Sequence, residues 1–234
     1  MSNNKKTMKL ATTLSVLILI ASVARGDLII QQQAVGSNLT ISVTTKIHGN
    51  KMREDDASQL FGKLLENSSE ITDLTTLDTI SLSAEDKTFR RTSGETRKQF
   101  VKRQEAKSGL TNLAEIITPK PSDTGKAEKI GEYETEIYFW SNGRGMTNIF
   151  WVAKNFPNFE AIKPYLVKLD QYHHARVSKN VMPADISELP GMVVKNQETQ
   201  KWGAYTVTLL SAKEGDVDPS LFEVPNDYTA RKVK

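Results

Sequence analysis

The residues with the strongest claim to chemistry are Glu132, Glu134 and Glu136, at alternate positions within Gly131–Ala153 (GEYETEIYFWSNGRGMTNIFWVA). On a strand they share one face, with neighbours roughly 6.5–7 Å apart. That spacing could seat a cation or an acid/base pair. Paired carboxylates need a second strand or a cleft opposite them, and none stands out, so a solvated strand face is the simpler reading. The only histidines are His48, His173 and His174. The last two are adjacent, so their side chains diverge, and no HExxH or two-histidine-carboxylate spacing supports a metal. No Gly-x-Ser-x-Gly elbow occurs. Gly143-Arg144-Gly145 falls in a turn with no helix after it, which argues against a phosphate loop. Cysteine is absent, which removes thiolate nucleophiles, cysteine metal sites and disulfides. These observations predict no catalytic residue, no metal and no cofactor, and the chain is read as a non-enzyme.

Two further groups suit binding. Lys87–Lys107 holds eight basic residues against Glu95 and Glu105. Such a segment is either a solvated helix or a contact for an anionic membrane surface, and eight side chains cannot all face one way. Arg97, Lys98 and Lys102 are the expected membrane-facing set. The aromatic residues cluster around the hairpin and the helix after it. Tyr133, Ile137, Phe139, Ile149, Trp151, Phe159, Ile162 and Leu166 would line either a core or a ligand cavity, because both use the same residue types.

Gly131–Ala153 reads as a long hairpin. Tyr133, Thr135, Ile137 and Phe139 alternate with glutamates, Tyr138 and Trp140, a period of two that marks a strand. Asn142-Gly143 reverses the chain. Leu28–Gln33 opens as a strand, and Leu39–Ile47 alternates more cleanly than any other stretch. His48-Gly49-Asn50 turns it into a second arm at Lys51–Arg53. Ala57–Glu66 has Leu60, Phe61, Leu64 and Leu65 at helical spacing, which predicts a short helix or an irregular connection. Ile71–Leu74, Leu77–Leu82 and Lys87–Arg91 read as a meander. Thr92 and Glu95 suggest a capping box for a polar helix over Thr96–Lys107. Ser108–Lys126 is expected to be an exposed loop. Asn158 caps a helix with the stripe Phe159, Ile162, Leu166 and Leu169, and Pro164 predicts a kink or a fresh helix start. Met192–Lys195 and Gly203–Ala212 read as the last strands, followed by a helical turn at Asp218–Phe222.

The chain has 234 residues and opens with Lys5, Lys6 and Lys9 before the apolar run Leu14–Val23. The run is shorter than the roughly 20 residues of a membrane span. A cleavable signal peptide over residues 1–26 is therefore expected, cut after Ala24 or Gly26, with export to a periplasm or the exterior and no lipid-anchor cysteine. Its four basic residues and no acids exceed the whole net charge of +3, so removal leaves −1. A near-neutral mature chain gives no ground for a nucleic-acid partner.

Three segments carry a resemblance: GNKMR at Gly49–Arg53, KIGEYETEIYFW with its turn and IFWVA, and DVDPSLFEVPNDY at Asp216–Tyr228. They resemble an exported bacterial family known as domain of unknown function 4412 (DUF4412), itself distantly similar to the periplasmic lipoprotein-carrier (LolA-like) fold. The resemblance implies a half-open antiparallel barrel wrapped around helices, with an apolar cavity, and it brings no catalytic residues.

The expected architecture is α+β and mostly β: one domain over residues 27–234, a large curved antiparallel sheet covering two or three helices. The expected function is non-catalytic uptake of a hydrophobic or lipid-like ligand, such as an acyl chain, on the concave face, at about 0.8 kcal/mol per buried CH₂. The rivals are an envelope interaction or structural module with a filled core, and a carboxylate-dependent hydrolase.

Overall fold

The structure is a computed structural model. It describes residues 26–65, 67–107, 119–176, 184–201 and 203–231. The expected leader, except Gly26, and positions 108–118 of the expected loop lie outside these residues.

The N-terminal half is a run of hairpins: β1 (Asp27–Val35), β2 (Leu39–His48), β3 (Lys51–Leu60), β4 (Lys63–Leu64), β5 (Ser68–Asp73), β6 (Thr79–Ser83) and β7 (Thr88–Thr92). Helix α1 (Gly94–Lys107) follows. The second half comprises β8 (Ser122–Ile130), β9 (Tyr133–Ser141), β10 (Thr147–Ala153), α2 (Phe159–Arg176), β11 (Met192–Gln200), β12 (Gly203–Gly215), a 3-10 turn at Pro219–Phe222 and β13 (Thr229–Ala230). The two meanders join where β12 pairs with β1, more than 170 residues apart in sequence. All pairings are antiparallel except β13 with β7.

The alternation read from β2 has a direct structural counterpart. Leu28, Ile47, Met52, Thr72 and Thr79 stand opposite one another across β1, β2, β3, β5 and β6. None is more than 2% exposed. Period-two side chains on paired strands must form such rows. Helix α2 closes over this core with Phe159, Ile162, Tyr165, Leu169 and Tyr172. It runs through Pro164 as one helix rather than restarting there. Pro164 and Glu160 are exposed, so the carbonyl that loses its donor faces water.

Several expectations are corrected. The sheet is not the curved, half-open carrier-like barrel. Its strand path runs β13-β7-β6-β5-β3-β2-β1-β12-β11-β10-β9-β8 and is open, with β13 and β8 as free edges. Closure would need those edges to pair, and β13 has only two residues to offer. Along β8, Lys126 and Lys129 and a register shift between Asp123 and Ala127 further disfavour edge pairing. Two α-helices are present among the described residues, within the expected two or three. Ala57–Leu65 is not helical: β3 continues to Leu60 and turns into β4. Part of the expected loop, from Ser122, is strand β8.

The capping residue of α1 is Ser93, one position beyond the expected Thr92. Its hydroxyl accepts the Thr96 N–H at 3.2 Å. Gly94 is held against the turn between β5 and β6: a Cβ there would lie 2.0 Å from the Thr76 carbonyl oxygen. Gly94→Ala is expected to push the start of α1 off that turn and cost about 1–2 kcal/mol. Because α1 is mostly exposed, the loss should be local. Hydrogen exchange should accelerate over 94–100, and unchanged protection there would contradict the assignment.

Candidate functional site

The row next to the apolar one is polar. Ile30, Thr45, Glu54, Glu70 and Ser81 stand opposite one another across the same five strands. Two carboxylates therefore face each other on neighbouring strands, beneath the C-terminal end of α2. Arg176 bonds Glu70 at 2.7 Å and Tyr172 donates its hydroxyl to Glu70 at 2.8 Å. The Arg176 guanidinium also stacks 4.8 Å from the Tyr172 ring. Glu54 is left without such a pair. Burial, with the charges of Asp56 and Glu70 added, pushes its pKa up to about 7, against the pull of Arg176.

A second acid pair joins α2 to the segment before β11. Asp170 is 8% exposed and hydrogen-bonds Asp185. Burial first, then the hydrogen bond and charge of Asp185, raise Asp170 to about 7. Burial would raise Asp185 too, but hydrogen bonds from Ser187 and Asp170 outweigh it and hold Asp185 below its ordinary value. Below about pH 7 the pair therefore keeps one proton, and it sits on Asp170. His174 Nε2 lies 3.6 Å from Asp170. Further along, burial and a hydrogen bond to Glu198 hold the Tyr205 phenol well above its ordinary range.

Between these groups lies a cavity of about 330 Å³, bounded by α2, the 186–193 segment and strands β1, β2, β3, β10, β11 and β12. Glu54, Asp170 and Tyr205 reach its wall, beside apolar side chains such as Leu166 and Met192. The volume is at the small end for ligand sites. The acids Glu54 and Asp170 in its wall set it apart from a wholly apolar pocket. Among the described residues no cluster of three or more acids and histidines could hold a metal.

The residues singled out from the sequence fall in three places. Trp151, Phe159 and Ile162 are buried in the main core, and Tyr133, Ile137, Ile149 and Leu166 pack against it half-buried. Only Phe159 and Leu166 of the eight reach the cavity. Phe139 is 41% exposed, while Trp140 on the opposite face of β9 is 1% exposed and donates its indole N–H to the Pro119 carbonyl. The buried face of β9 thus changes along its length, because a second apolar cluster with Ala184 and Leu189 covers its far end. Glu132 and Glu134 are exposed, and Glu136 pairs with Lys154 at 2.7 Å. His48 meets Asp27 at 2.8 Å. On α1, Lys98 and Lys102 point outward, but Arg97 is half-buried and its Nε has no hydrogen-bond partner.

The Asp170–Asp185 and Glu54–Glu70 pairs escaped sequence reasoning. A signal existed for the first. The apolar stripe of α2 turns polar at Asp170, on the face that Ile162, Leu166 and Leu169 bury. For the second, the strand at Lys51 had to be followed past Arg53, so that Glu54 took its place in the alternation.

Comparison with known proteins adds a family and little else. No curated protein matches the chain. The solved structure of PNGF-II is 13% identical, with a TM-score of 0.38; the match covers 88% of this chain and 31% of that one, so the chain spans under a third of its length. A likeness at that level carries no argument about fold or function. The family described as domain of unknown function DUF4412 matches residues 29–228, the greater part of the sequence and nearly all of the sheet, and the chain belongs to that family.

Proposed function

We propose that this chain is a non-catalytic interaction module, exported by its N-terminal leader, whose core is filled by its own side chains. One observation carries the reading. Seven of the eight side chains expected to line a ligand cavity pack in or against the main core, and the eighth, Phe139, is exposed. The expectation of a lipid-like ligand on a concave sheet face is corrected by the open sheet, which encloses no such interior. What remains is a small cavity walled partly by acids. Function then rests with the surface, where an open sheet offers free edges and exposed loops to a partner.

Native mass spectrometry of protein purified from its own producing cells tests this. The expected mass is that of the polypeptide alone. A stoichiometric lipid adduct that survives purification would overturn the reading.

A further inference from the structure

One end of the sheet gathers most of the large apolar side chains that stand exposed. Leu39 opens β2 opposite Leu60, the last residue of β3. The chain then turns through Phe61-Gly62 into β4, which sets Leu60 opposite Lys63 and Gln59 opposite Leu64. Val35 ends β1 in the same row as Gln59 and Leu64, through Thr40. Phe61 is 72% exposed and Leu64 65%; Val35, Leu65, Leu60 and Leu39 are between 37% and 45% exposed. These are six of the nine large apolar side chains that stand exposed among the described residues. An exposed apolar group of this size rimmed by polar residues marks an interaction site.

Three features say what covers this tip. The apolar side chains lie on both faces of the hairpin, Leu39 and Leu60 on one, Val35 and Leu64 on the other, with Phe61 at the apex. A single protein surface laid against one face would leave the other wet, whereas a medium that surrounds the tip buries both. Lys63 is the only charged residue within 57–65, with Asp56 and Glu66 flanking it in sequence. A lysine beside an apolar apex can lay its stem along buried side chains and reach phosphates at the headgroup level. Finally, Phe61 holds φ at 50° and Gly62 at 73°. Two-residue hairpins of this kind favour Asn, Asp or Gly at the first position. Here a bulky aromatic occupies it and projects into solvent, against the backbone preference.

We propose that the Phe61 hairpin inserts into the interfacial region of a lipid bilayer and docks the protein on a membrane face. The occupant is the bilayer surface, not a lipid molecule drawn into the fold. The proposal goes beyond the filled-module reading and does not depend on it, since a protein carrying an internal ligand could insert the same tip.

Flotation of the full mature chain with vesicles of phosphatidylethanolamine and phosphatidylglycerol tests it. Wild type is expected to float with the vesicles and to stay bound when salt rises from about 0.1 M to about 1 M, because apolar insertion is not screened. Phe61→Asn with Leu64→Ser suits the turn and should keep the fold, and it is expected to weaken partitioning about tenfold or more. Lys98→Glu with Lys102→Glu on α1 should leave salt-resistant binding intact. As a second readout, Phe61→Trp should add emission that brominated acyl chains quench. Absence of flotation, complete release by salt, or an unquenched Trp at position 61 would each overturn the proposal. So would a wild-type dimer in analytical ultracentrifugation that Phe61→Asn with Leu64→Ser dissolves, since the tip would then be covered by a second copy.

Discussion

Trp151→Ala is expected to lower the unfolding free energy by about 3–5 kcal/mol, the range for an aromatic truncated in a packed core. Trp151 is 6% exposed at the centre of β10, between Ile137 of β9 and Lys195 of β11. Its indole N–H donates to the Glu128 carboxylate at 2.7 Å, and the Lys195 ammonium lies 4.2 Å from the ring centre. Glu128 is exposed, so losing the indole returns that carboxylate to water at little cost. Most of the penalty is therefore the cavity. Trp151→Phe separates the two effects: it keeps most of the apolar volume, forfeits the hydrogen bond and should cost about 1 kcal/mol. Urea denaturation of both variants checks this. A loss below about 1 kcal/mol for Trp151→Ala would show that the core closes over the site without the ring.

Asp170→Asn is expected to stabilise the protein at pH 8, by about 2 kcal/mol, although it removes a buried hydrogen-bonding carboxyl. The sign follows from the raised pKa. Asp170 titrates near 7 in the folded chain, against about 3.9 for an unperturbed aspartate. Between those values the native state holds a proton that the unfolded state has released. Stability contributed by the protonated pair is complete below about pH 4 and is lost as pH rises through 7. Above that, the buried Asp170 carboxylate faces the half-exposed carboxylate of Asp185. Asp185, whose pKa is lowered, acts in the opposite sense but only in the acid range. Asparagine can still donate to Asp185 and adds no charge, so the variant should be less sensitive to pH between about 4 and 7. Glu54 titrates in the same window for its own reason, so some slope should persist in Asp170→Asn and diminish further when Glu54→Gln is added. Thermal unfolding from pH 4 to pH 8 reads both effects. A variant that is less stable than wild type at pH 8 would show that the folded chain does not raise the pKa of Asp170.

Both results turn on what stands opposite a residue, and that is where sequence reading stopped. The hairpin at Gly131–Ala153, the alternation of β2, the apolar stripe of α2 and the turn at Pro219–Phe222 were all legible. Each depends on a repeat of two or 3.6 residues, or on a turn residue, within about ten positions. The failures were also local in origin. Leu60, Phe61, Leu64 and Leu65 have helical spacing, yet β3 continues through Leu60 because β2 supplies a partner strand along its whole length. Phe139, expected in a core or cavity, is exposed, whereas Trp140 beside it is buried in a cluster with Ala184 and Leu189, more than 40 residues away in sequence.

By itself the sequence determined the strand-rich class, the positions of most strands and both helices, and membership of a family through short motifs near the chain's middle and end. Only the tertiary structure decided that β1 pairs with β12, that β8 and β13 remain free edges so that no barrel forms, and that all the expected ligand-lining side chains but Phe139 pack in or against the core. It also decided that Glu54 faces Glu70 and Asp170 meets Asp185. Backbone stereochemistry sets the direction of each side chain from its neighbours in sequence. Burial, pKa and pairing are set by groups brought alongside from 15 to more than 170 residues away, which no local repeat encodes.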